Sequence, residues 1–482
     1  DYDIDGLTAT TVLIDALASF GFKNVSAFIP NRFVEGYGLT VDAIERIAAD
    51  GAQLIITVDC GSLSHEPITR AKELGVDVIV TDHHNVSEVQ PPAVAVINPK
   101  RPDHTYPFID LAGVGVAFKL VQALQTKLDG LPAGQEKWLL DLVALGTVCD
   151  VVTLVDENRA NVFWGLKVLS KTKRPGLKAL MAVSRVEPSK VNARSLGFGL
   201  GPRMNATGRL ETAQIALDML TATDTMQALE KAQELDALNS ARRTEQDKIY
   251  KEAVKQAELY KDDDVLVVSS PDWNHGIIGI VAAKLLEKFK KPTFVLQEMG
   301  DESKGSARSY GDFSAADAIK SVSGIITKGG GHKLAAGVTL PTKNIQAFRE
   351  GVNKYYRDKK LKNQADLLLP IEDAQAEFTH VTEELVKLLE SLEPFGNGNT
   401  QPILRTNGVK VLRVRRMGTE AQHVKLEVIA QDGTRLELLA FAAPEHFFVE
   451  PGSEMTVWYQ PDVNEWQGRQ TVEGRLLHIE IT

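Results

Sequence analysis

Four clusters of acidic and imidazole side chains are spread over residues 1–150. They are Asp1-Tyr2-Asp3-Ile4-Asp5-Gly6, Thr57-Val58-Asp59-Cys60-Gly61, Thr81-Asp82-His83-His84 and Thr147-Val148-Cys149-Asp150. Carboxylates and histidines that converge from separate segments can bind divalent cations, and an oxygen-rich set favours Mn²⁺ or Mg²⁺ over zinc. A pair of such cations activates water and neutralises charge on a phosphate under attack. The pattern therefore predicts a two-metal hydrolase centre.

The spacing within the clusters suggests a role for each side chain. Asp3 and Asp5 are two residues apart, so on a predicted strand end they would face the same side. Asp59 ends a predicted strand, where one carboxylate could bridge two cations. His83 offers an imidazole, and Asp150 at a helix end would close the cluster. Taken alone, each cluster has an ordinary alternative, such as a turn or a surface histidine.

Supporting roles are predicted for the neighbours of these ligands. Asp82 or His84 can orient the imidazole of His83. Cys60 and Cys149 adjoin candidate ligands, but we interpret them as small buried residues rather than thiolate ligands, since the oxygen ligands suffice. Only two cysteines in 482 residues also fit a reducing, cytoplasmic location.

The elements that would position these clusters alternate between strands and helices. Short apolar runs at 25–29, 54–58, 76–80 and 93–97 read as strands, and helical spacing lies between them at 39–49 and 68–74. Strands that alternate with helices indicate a parallel sheet, whose ligands lie beyond the carboxyl ends of the strands. Asp59 and Asp82-His83-His84 stand at such ends. A further strand should precede Asp1, so we expect the first domain to be incomplete at its N-terminus.

Length and composition predict several folded domains. The chain has 482 residues, 43% of them hydrophobic and 24% charged, and no apolar run approaches a membrane span. We expect an α/β domain at 1–225, a connecting helix at 226–262, a second α/β domain at 263–357, a helical linker at 358–399 and a β-barrel at 400–482. The net charge of −10 does not exclude nucleic acid, because local basic surfaces and bound cations can offset it.

Glycine-rich motifs punctuate the later domains. Residues 304–309 and 329–332 read as glycine-bearing loops, residues 201–210 as a glycine-rich loop before the connecting helix, and residues 394–399 as a plain linker. In the barrel, basic residues such as Arg413 and aromatic residues such as Trp458 could contact a nucleic-acid strand, although a barrel core also needs aromatic side chains.

These motifs resemble the DHH phosphoesterases, a family named for the triad that stands here as Asp82-His83-His84. The run from Gly329 to Gly337 resembles the family's associated second domain, called DHHA1. The resemblance implies an α/β fold with a parallel-sheet DHH domain, a long connecting helix, a DHHA1-type domain and a C-terminal OB-type barrel. It also implies two Mn²⁺ or Mg²⁺ ions.

The resemblance carries over ligands and catalytic groups residue by residue. The implied metal ligands are Asp3, Asp5, Asp59, His83 and Asp150, and the implied catalytic residues are Asp59, His83 and His84. Many relatives have a histidine four residues before the first ligand aspartate, a position that precedes Asp1 here. Asp1 would then serve either as a substitute ligand or as a supporting residue.

Further positions are candidates for substrate binding. Arg32 follows a predicted strand end and would face the cleft, and Asn274 precedes a helix whose amides could bind an anion or which it could simply cap. The resemblance implies that Arg32, Ser306 and Arg308 hold a terminal 5′-phosphate. The remaining candidates are Arg203, Asn205, Arg209, His275, Gly330, Gly331 and His332.

The resemblance implies an exonuclease that removes nucleotides from the 5′ end of single-stranded DNA. It also implies cooperation with a single-strand-binding protein and a helicase, and we expect a monomer with no membrane association. Two alternatives remain at this point: a relative that acts on short oligonucleotides or cyclic dinucleotides, and a non-catalytic DNA-binding scaffold of the same fold.

Overall fold

The computed structural model of this protein describes residues 1–30, 38–210, 212–466 and 468–482. Among these residues, none of the helices combines the length and apolarity that a bilayer-spanning helix needs.

The first part of the chain is a small parallel sheet covered by helices. Its strands β1 to β3 are Leu54–Val58, Asp77–Thr81 and Ala95–Ile97. They pair in parallel in the order β1-β2-β3, with Val58 opposite Thr81 and Thr81 opposite Ile97. The carboxyl ends of these strands therefore lie side by side, as predicted, and Asp59 and Asp82 follow them directly.

Nine helices of this part are described around the sheet. They are α1 Ile4–Ser19, α2 Val41–Ala49, α3 His65–Glu73, α4 Gly113–Gln125, α5 Leu140–Asp150, α6 Asp156–Leu169, α7 Pro175–Val183, α8 Gly201–Leu210 and α9 Gln214–Thr221. Helices α1, α4 and α5 pack on one another through buried apolar side chains such as Leu7, Val114 and Leu145. This packing fixes the start of α1, the start of α4 and the end of α5 against each other.

Two expectations about this part were wrong. Residues 25–29 form no strand, since Val25 and Phe28 are each 38% exposed and no described segment pairs with them. Residues 201–210 form the helix α8 rather than a loop, preceded by a π-helical turn, Ser195–Leu200. Glycine in a helix is unfavourable by itself, so tertiary packing rather than local preference explains α8.

Helix α10, Thr225–Leu259, is the long connecting helix predicted from composition. It has 35 residues, which corresponds to about 52 Å. The Asp224 carboxylate caps its start by accepting a hydrogen bond from the Gln227 amide. Its first half packs on α7, α8 and α9, and its second half packs on α11 and β4 of the next domain.

The second α/β domain is a five-stranded mixed sheet. Its elements are β4 Leu266–Ser270, α11 Ile278–Phe289, β5 Thr293–Met299, β6 Glu302–Arg308, α12 Ala315–Ser321, β7 Lys328–Gly331, β8 Ala335–Pro341 and α13 Ile345–Asp358. The strand order is β4-β5-β6-β8-β7, parallel between β4 and β5 and antiparallel elsewhere. The two stretches predicted as loops, 304–309 and 329–332, therefore belong largely to β6 and β7. Glycine lowers the local preference for a strand, so these segments do not have the sequence pattern of strands. Hydrogen bonds to β8 stabilise them as strands in the folded domain.

The last part of the chain closes into a barrel. After β9 Ala374–Gln375 and α14 Glu383–Glu390 come β10 Leu404–Met417, β11 His423–Ile429, β12 Arg435–Ala440, β13 Glu454–Trp466 and β14 Arg469–Ile481. The strands follow the order β11-β12-β14-β13-β10, and pairing of β10 with β11 closes the circle, as an OB-type barrel requires. Trp458 and Tyr459 are 6% and 0% exposed, so they belong to the packed interior rather than to a stacking surface.

Candidate metal centre

The start of α1 presents the first two candidate ligands. Asp3 is the N-cap of the helix and its carboxylate accepts a hydrogen bond from the Gly6 amide, while Asp5 lies in the first turn. The prediction that both lie on an extended strand end was therefore wrong. Helical geometry separates the two side chains, and it turns Asp5 into the protein interior, where only 1% of it is exposed.

The start of α4 holds the carboxylate of Asp5. The amides of Gly113 and Val114 donate to its two oxygens at 2.6 and 2.8 Å. Unpaired amides at a helix start favour a negative charge. The sequence analysis missed this contribution, although the glycine-rich start Gly113-Val114-Gly115-Val116 was a visible signal of close backbone approach.

Asp59 follows β1 in a backbone conformation that side chains rarely adopt. Its φ is 58°, and its amide donates to the Thr81 carbonyl at the end of the next strand. The residue is 1% exposed, yet neither carboxylate oxygen has a hydrogen-bond partner in the described protein. Uncommon backbone geometry combined with a buried, unsatisfied carboxylate indicates a ligand-binding residue.

The Asp82 carboxylate holds the Asp82-His83-His84 turn together by hydrogen bonds. The Asp82 carboxylate accepts hydrogen bonds from the Ser62, His83 and His84 amides and from His84 Nδ1 at 2.8 Å. Burial alone would raise the pKa of Asp82, but the hydrogen bonds and charge of His84 hold it well below its usual value. Asp82 therefore organises the turn, while the His83 imidazole extends toward the aspartates.

The ligand atoms of four elements meet around His83. Its Nε2 lies 3.1 Å from Asp59 Oδ1, 3.6 Å from Asp150 Oδ2 and 3.8 Å from Asp5 Oδ2. Three groups of mutually close ligand atoms can be defined: Asp5 with His83 and Asp150, Asp59 with His83 and His84, and Asp1 with Asp3 and Asp59. Because Asp59 belongs to two groups, its carboxylate is placed where it could bridge neighbouring cations.

The chemistry of this cluster fits divalent cations. Asp1 Oδ2, both oxygens of Asp59, His83 Nε2 and Asp150 Oδ2 are buried without hydrogen-bond partners. Burial, together with the nearby carboxylates, raises the pKa of Asp5 and of Asp150 to about 7 and raises that of Asp59 strongly. Acids packed this closely repel one another unless positive charge is bound between them. Oxygen donors with imidazole suit Mn²⁺ or Mg²⁺.

The cysteines lie beside the cluster but contribute no ligand atom to the three groups among the described residues. Both are free thiols, and burial raises the pKa of each above its ordinary value. A thiol with a raised pKa stays protonated and binds metal poorly. These observations favour the interpretation of Cys60 and Cys149 as small packed residues.

A loop from the far end of the chain supports Asp150. Val151 follows α5 with φ 64°, a costly conformation for a β-branched residue, and Asn397 Nδ2 donates to its carbonyl at 3.0 Å. The Leu154 amide donates to the Asn397 carbonyl at 2.6 Å. Residues 394–399, predicted to be a plain linker, therefore pack behind a candidate metal ligand.

We expect Asn397→Ala to lower the Mn²⁺ affinity about tenfold to a hundredfold, the usual effect of losing a group that supports a ligand. The reason is that the turn after Asp150 would relax away from φ 64°. Mn²⁺ binding measured by electron paramagnetic resonance checks this effect.

Val151→Gly provides the control, because glycine adopts positive φ without strain. The double variant Val151→Gly, Asn397→Ala should recover most of the lost affinity. If it binds Mn²⁺ as weakly as Asn397→Ala alone, Asn397 does not act through the conformation of Val151.

The second domain places two predicted substrate residues on one face of its sheet. Ser306 and Arg308 are two residues apart on β6, and both lie against the start of α11, where a Cβ on Gly279 would be 3.4 Å from each side chain. Arg308 is half-buried, and its guanidinium donates to the Ala307 carbonyl. The His332 amide donates to the carbonyl of Ala335, the residue opposite Arg308 on β8, and the His332 side chain is exposed. Gly330 and Gly331 form the adjoining part of β7.

The other predicted substrate residues join the two domains. Arg209 Nη1 donates to the Gly276 carbonyl at 2.9 Å, and Asn274 Oδ1 accepts from the Gly276 amide. The amide and Nδ1 of His275 lie 2.9 and 3.1 Å from Gln297 Oε1. Helix α8 also lies against the start of the chain beside the metal cluster, since a Cβ on Gly208 would be 3.3 Å from the Tyr2 ring. The metal cluster and the second domain are thus linked through the end of α8.

Arg203 and Asn205 lie on α8 rather than on a loop. Arg203 Nε forms an ion pair with Asp236 of α10 at 2.8 Å, and its Nη1 donates to the Gly199 carbonyl. This ion pair joins α8 to the connecting helix. Asn205 is half-buried on the same helix. Arg32 lies outside the described residues.

Comparisons with known proteins give a consistent result. Profiles of the DHH family N-terminal domain, the DHHA1 domain and the RecJ OB domain match residues 1–147, 262–358 and 372–478. The chain is 38% identical over 481 residues to the single-stranded-DNA-specific exonuclease RecJ of Bacillus subtilis, covering 98% of this chain and 59% of that protein. It is 35% identical over 497 residues to RecJ of Escherichia coli, covering 98% of this chain and 85% of that protein.

Solved structures agree with the sequence comparisons. The crystal structure of Thermus thermophilus RecJ in complex with Mn²⁺ superposes with a TM-score of 0.84 at 29% identity, covering 100% of this chain and 68% of that one. The Mg²⁺ complex of the same protein gives a TM-score of 0.75. A further RecJ exonuclease bound to manganese is 34% identical, with a TM-score of 0.66 over 75% of this chain and 89% of that one.

Proposed function

Because this chain belongs to the RecJ family of single-stranded-DNA-specific exonucleases, we propose that it hydrolyses single-stranded DNA from the 5′ end, in DNA repair and recombination. The observation that carries the proposal is the convergence of Asp5, Asp59 and Asp150 on His83, whose Nε2 lies 3.1 to 3.8 Å from a carboxylate oxygen of each. Buried ligand atoms of Asp59, His83 and Asp150 have no hydrogen-bond partner among the described residues. A scaffold without catalysis has no need of such a costly arrangement.

The ligand residues would hold two cations, Mn²⁺ or Mg²⁺. When bound, such a pair activates water and neutralises charge that develops on the phosphate. Asp59 holds the central position, with His83, Asp5 and Asp150 on one side and Asp3 and Asp1 on the other. The Gly113 and Val114 amides keep Asp5 in place.

His84 is the group of the triad that a substrate phosphate can reach. Its side chain is 43% exposed, while that of Asp82 is 2% exposed and fixes the ring through Nδ1. Burial alone would lower the pKa of His84, but the hydrogen bond and the charge of Asp82 raise it. The protonated ring, already oriented, can therefore donate from Nε2 to a phosphate oxygen, which favours the transition state. We assign His84 this positioning of the scissile phosphate.

We assign the 5′ polarity to Ser306 and Arg308. A hydroxyl and a guanidinium on one strand face suit a terminal phosphate monoester, which carries more charge than an internal phosphodiester. Burial lowers the pKa of Arg308, and no carboxylate among the described residues pairs with it. Arg32 belongs to the same proposal as a third phosphate ligand, and His332, Gly330 and Gly331 as neighbours of the bound end.

We propose that a narrow channel under α10 admits one strand and excludes duplex, and that the barrel extends the contact along the strand. We propose a monomer that acts in the cytoplasm together with a single-strand-binding protein and a helicase. Both cysteines are free thiols, which supports a reducing location.

The proposal is tested with DNA strands of increasing length that carry a label at either the 5′ or the 3′ end. We expect the 5′-labelled nucleotide to be released first, with single strands cleaved at least about a hundredfold faster than duplex ends. Preference for dinucleotides over long strands would instead identify a phosphodiesterase of short substrates. Binding without cleavage in either Mn²⁺ or Mg²⁺ would identify a scaffold.

A further inference from the structure

A cavity of about 490 Å³ opens on the sheet of the second domain, beyond Ser306. Its walls include His275 and Ile278 at the start of α11, Lys304 and Ser306 of β6, and Lys328 and Gly330 of β7. The loop that carries His275 and Gly276 also contacts Arg209, so the cavity lies on the side of the second domain that contacts the end of α8.

Strand register orders the side chains of this cavity into two rows. Lys304 pairs with Thr339, which pairs with Lys328, so the two lysines flank one position of β8. Ser306 pairs with Gly337, which pairs with Gly330, in the next row on the same face. The two rows are two residues apart along the strands, or about 7 Å.

In the Ser306 row, which is nearer to the proposed position of the terminal phosphate, the floor of the cavity consists of glycine backbone. Gly330 and Gly337 have no side chains and are both exposed, so the backbone of β7 and β8 is open to a ligand. Among the described residues, the cavity lining contains no Phe, Tyr or Trp. A nucleobase usually binds against an aromatic ring, so this lining favours an anion over a base.

The row that contains Lys304 and Lys328 supplies positive charge without a carboxylate partner among the described residues. In the described part of the chain, no hydrogen bond or ion pair joins the ammonium group of Lys304 or Lys328 to a carboxylate, whereas Lys333 of the same domain lies 3.9 Å from Asp312. Lys304 is half-buried and Lys328 is exposed. Two unpaired lysines beside an open cavity attract a polyanion.

We propose that Lys304 and Lys328 form a second anion subsite, which binds the additional phosphates of a strand whose 5′ end carries a di- or triphosphate. The inference rests on the proposed function, because it takes Ser306 and Arg308 as the position of the first phosphate. The additional phosphates would extend from the position at Ser306 and Arg308, along the exposed glycine backbone, to the two lysines.

The test compares three otherwise identical single-stranded oligonucleotides with a 5′-hydroxyl, a 5′-monophosphate or a 5′-triphosphate. Binding is measured by fluorescence anisotropy in EDTA, which prevents cleavage and prevents the triphosphate from chelating metal. We expect the triphosphate strand to bind on the order of tenfold more tightly than the monophosphate strand, the effect of one or two charge-assisted contacts.

Variants separate the two phosphate positions. Lys304→Gln with Lys328→Gln should remove the preference for triphosphate over monophosphate and keep the preference for monophosphate over hydroxyl. Arg308→Gln should remove the latter. Lys320→Gln is the matched control, because Lys320 is an exposed lysine on α12, which covers the opposite face of the sheet.

Each outcome decides one of the two assignments. Equal binding of triphosphate and monophosphate strands to the unmodified protein overturns the second subsite and leaves the proposed function intact. A triphosphate preference that survives in the double lysine variant overturns the assignment to Lys304 and Lys328. Equal binding of monophosphate and hydroxyl strands overturns the role of Ser306 and Arg308 in the proposed function.

Discussion

Asp59→Asn should abolish exonuclease activity, with a loss on the order of a thousandfold or more in both Mn²⁺ and Mg²⁺. Asp59 is the residue shared by two groups of candidate ligand atoms, and both of its carboxylate oxygens are buried without partners. An amide keeps the size of the side chain but removes the negative charge that two cations would share. Initial rates on a 5′-phosphorylated strand, measured beside Mn²⁺ binding, check this expectation.

The same variant should be more stable than the unmodified protein when metal is absent. Burial raises the pKa values of Asp5, Asp59 and Asp150, and the second cause is repulsion between neighbouring carboxylates. Removing one acid relieves it, and each kcal/mol gained raises the melting temperature by about 2–4 °C for a domain of this size. Thermal melts in EDTA measure the gain, and added Mn²⁺ should stabilise the variant less than the unmodified protein.

Asp77→Asn is the matched control for both effects. Asp77 is exposed at the start of β2, at the opposite edge of the same sheet. It should change neither activity nor the response of the melting temperature to Mn²⁺. An Asp59→Asn protein that still cleaves DNA at the normal rate would refute the two-metal interpretation of this site.

Gly113→Ala should lower activity about a hundredfold, the cost expected when catalytic groups move by roughly 1 Å. A Cβ at this position would be 2.7 Å from Asp59 Oδ1 and 2.9 Å from Asp5 Oδ2. Real Cβ atoms do not approach other atoms so closely, so both carboxylates must shift. Mn²⁺ affinity should fall with activity, while the circular dichroism of the protein should stay unchanged.

Gly115→Ala tests whether the effect is specific to the site. It makes the same change on the same helix, but its Cβ would meet only the flexible Leu111 side chain, at 3.3 Å. We expect near-normal activity and Mn²⁺ affinity for this variant. Equal losses in the two variants would mean that alanine disturbs α4 as a whole, and not the ligands.

Local patterns predicted several elements closely. The strand at 54–58 is β1 residue for residue, and the helices at 39–49 and 226–262 correspond to α2 and α10 within three residues at each end. These elements could be predicted because their sequence patterns are local. A continuous apolar run indicates a buried strand, and a long polar stretch without glycine or proline indicates a helix. The predicted domain boundaries and the individual roles of the site residues stay predictions.

Glycine-rich segments were harder to predict. Residues 201–210, 304–309 and 329–332 were all predicted as loops, yet they form α8, most of β6 and most of β7. A segment with few side chains has little local preference, so its structure depends on the neighbours that pair with it. The same reason applies to residues 394–399, whose position depends on hydrogen bonds to Val151 and Leu154 far away in sequence.

The sequence by itself predicted the chemical nature of the centre. Aspartate and histidine side chains offer oxygen and nitrogen ligand atoms, and their positions after predicted parallel strands predicted that they would lie close together. What only the tertiary structure decided is which groups support them: the α4 amides on Asp5, the Asn397 loop behind Asp150, and the bare glycine floor beside Lys304. These contacts join residues more than a hundred positions apart or depend on strand register. No local sequence preference encodes such contacts, since they arise only when whole elements pack together.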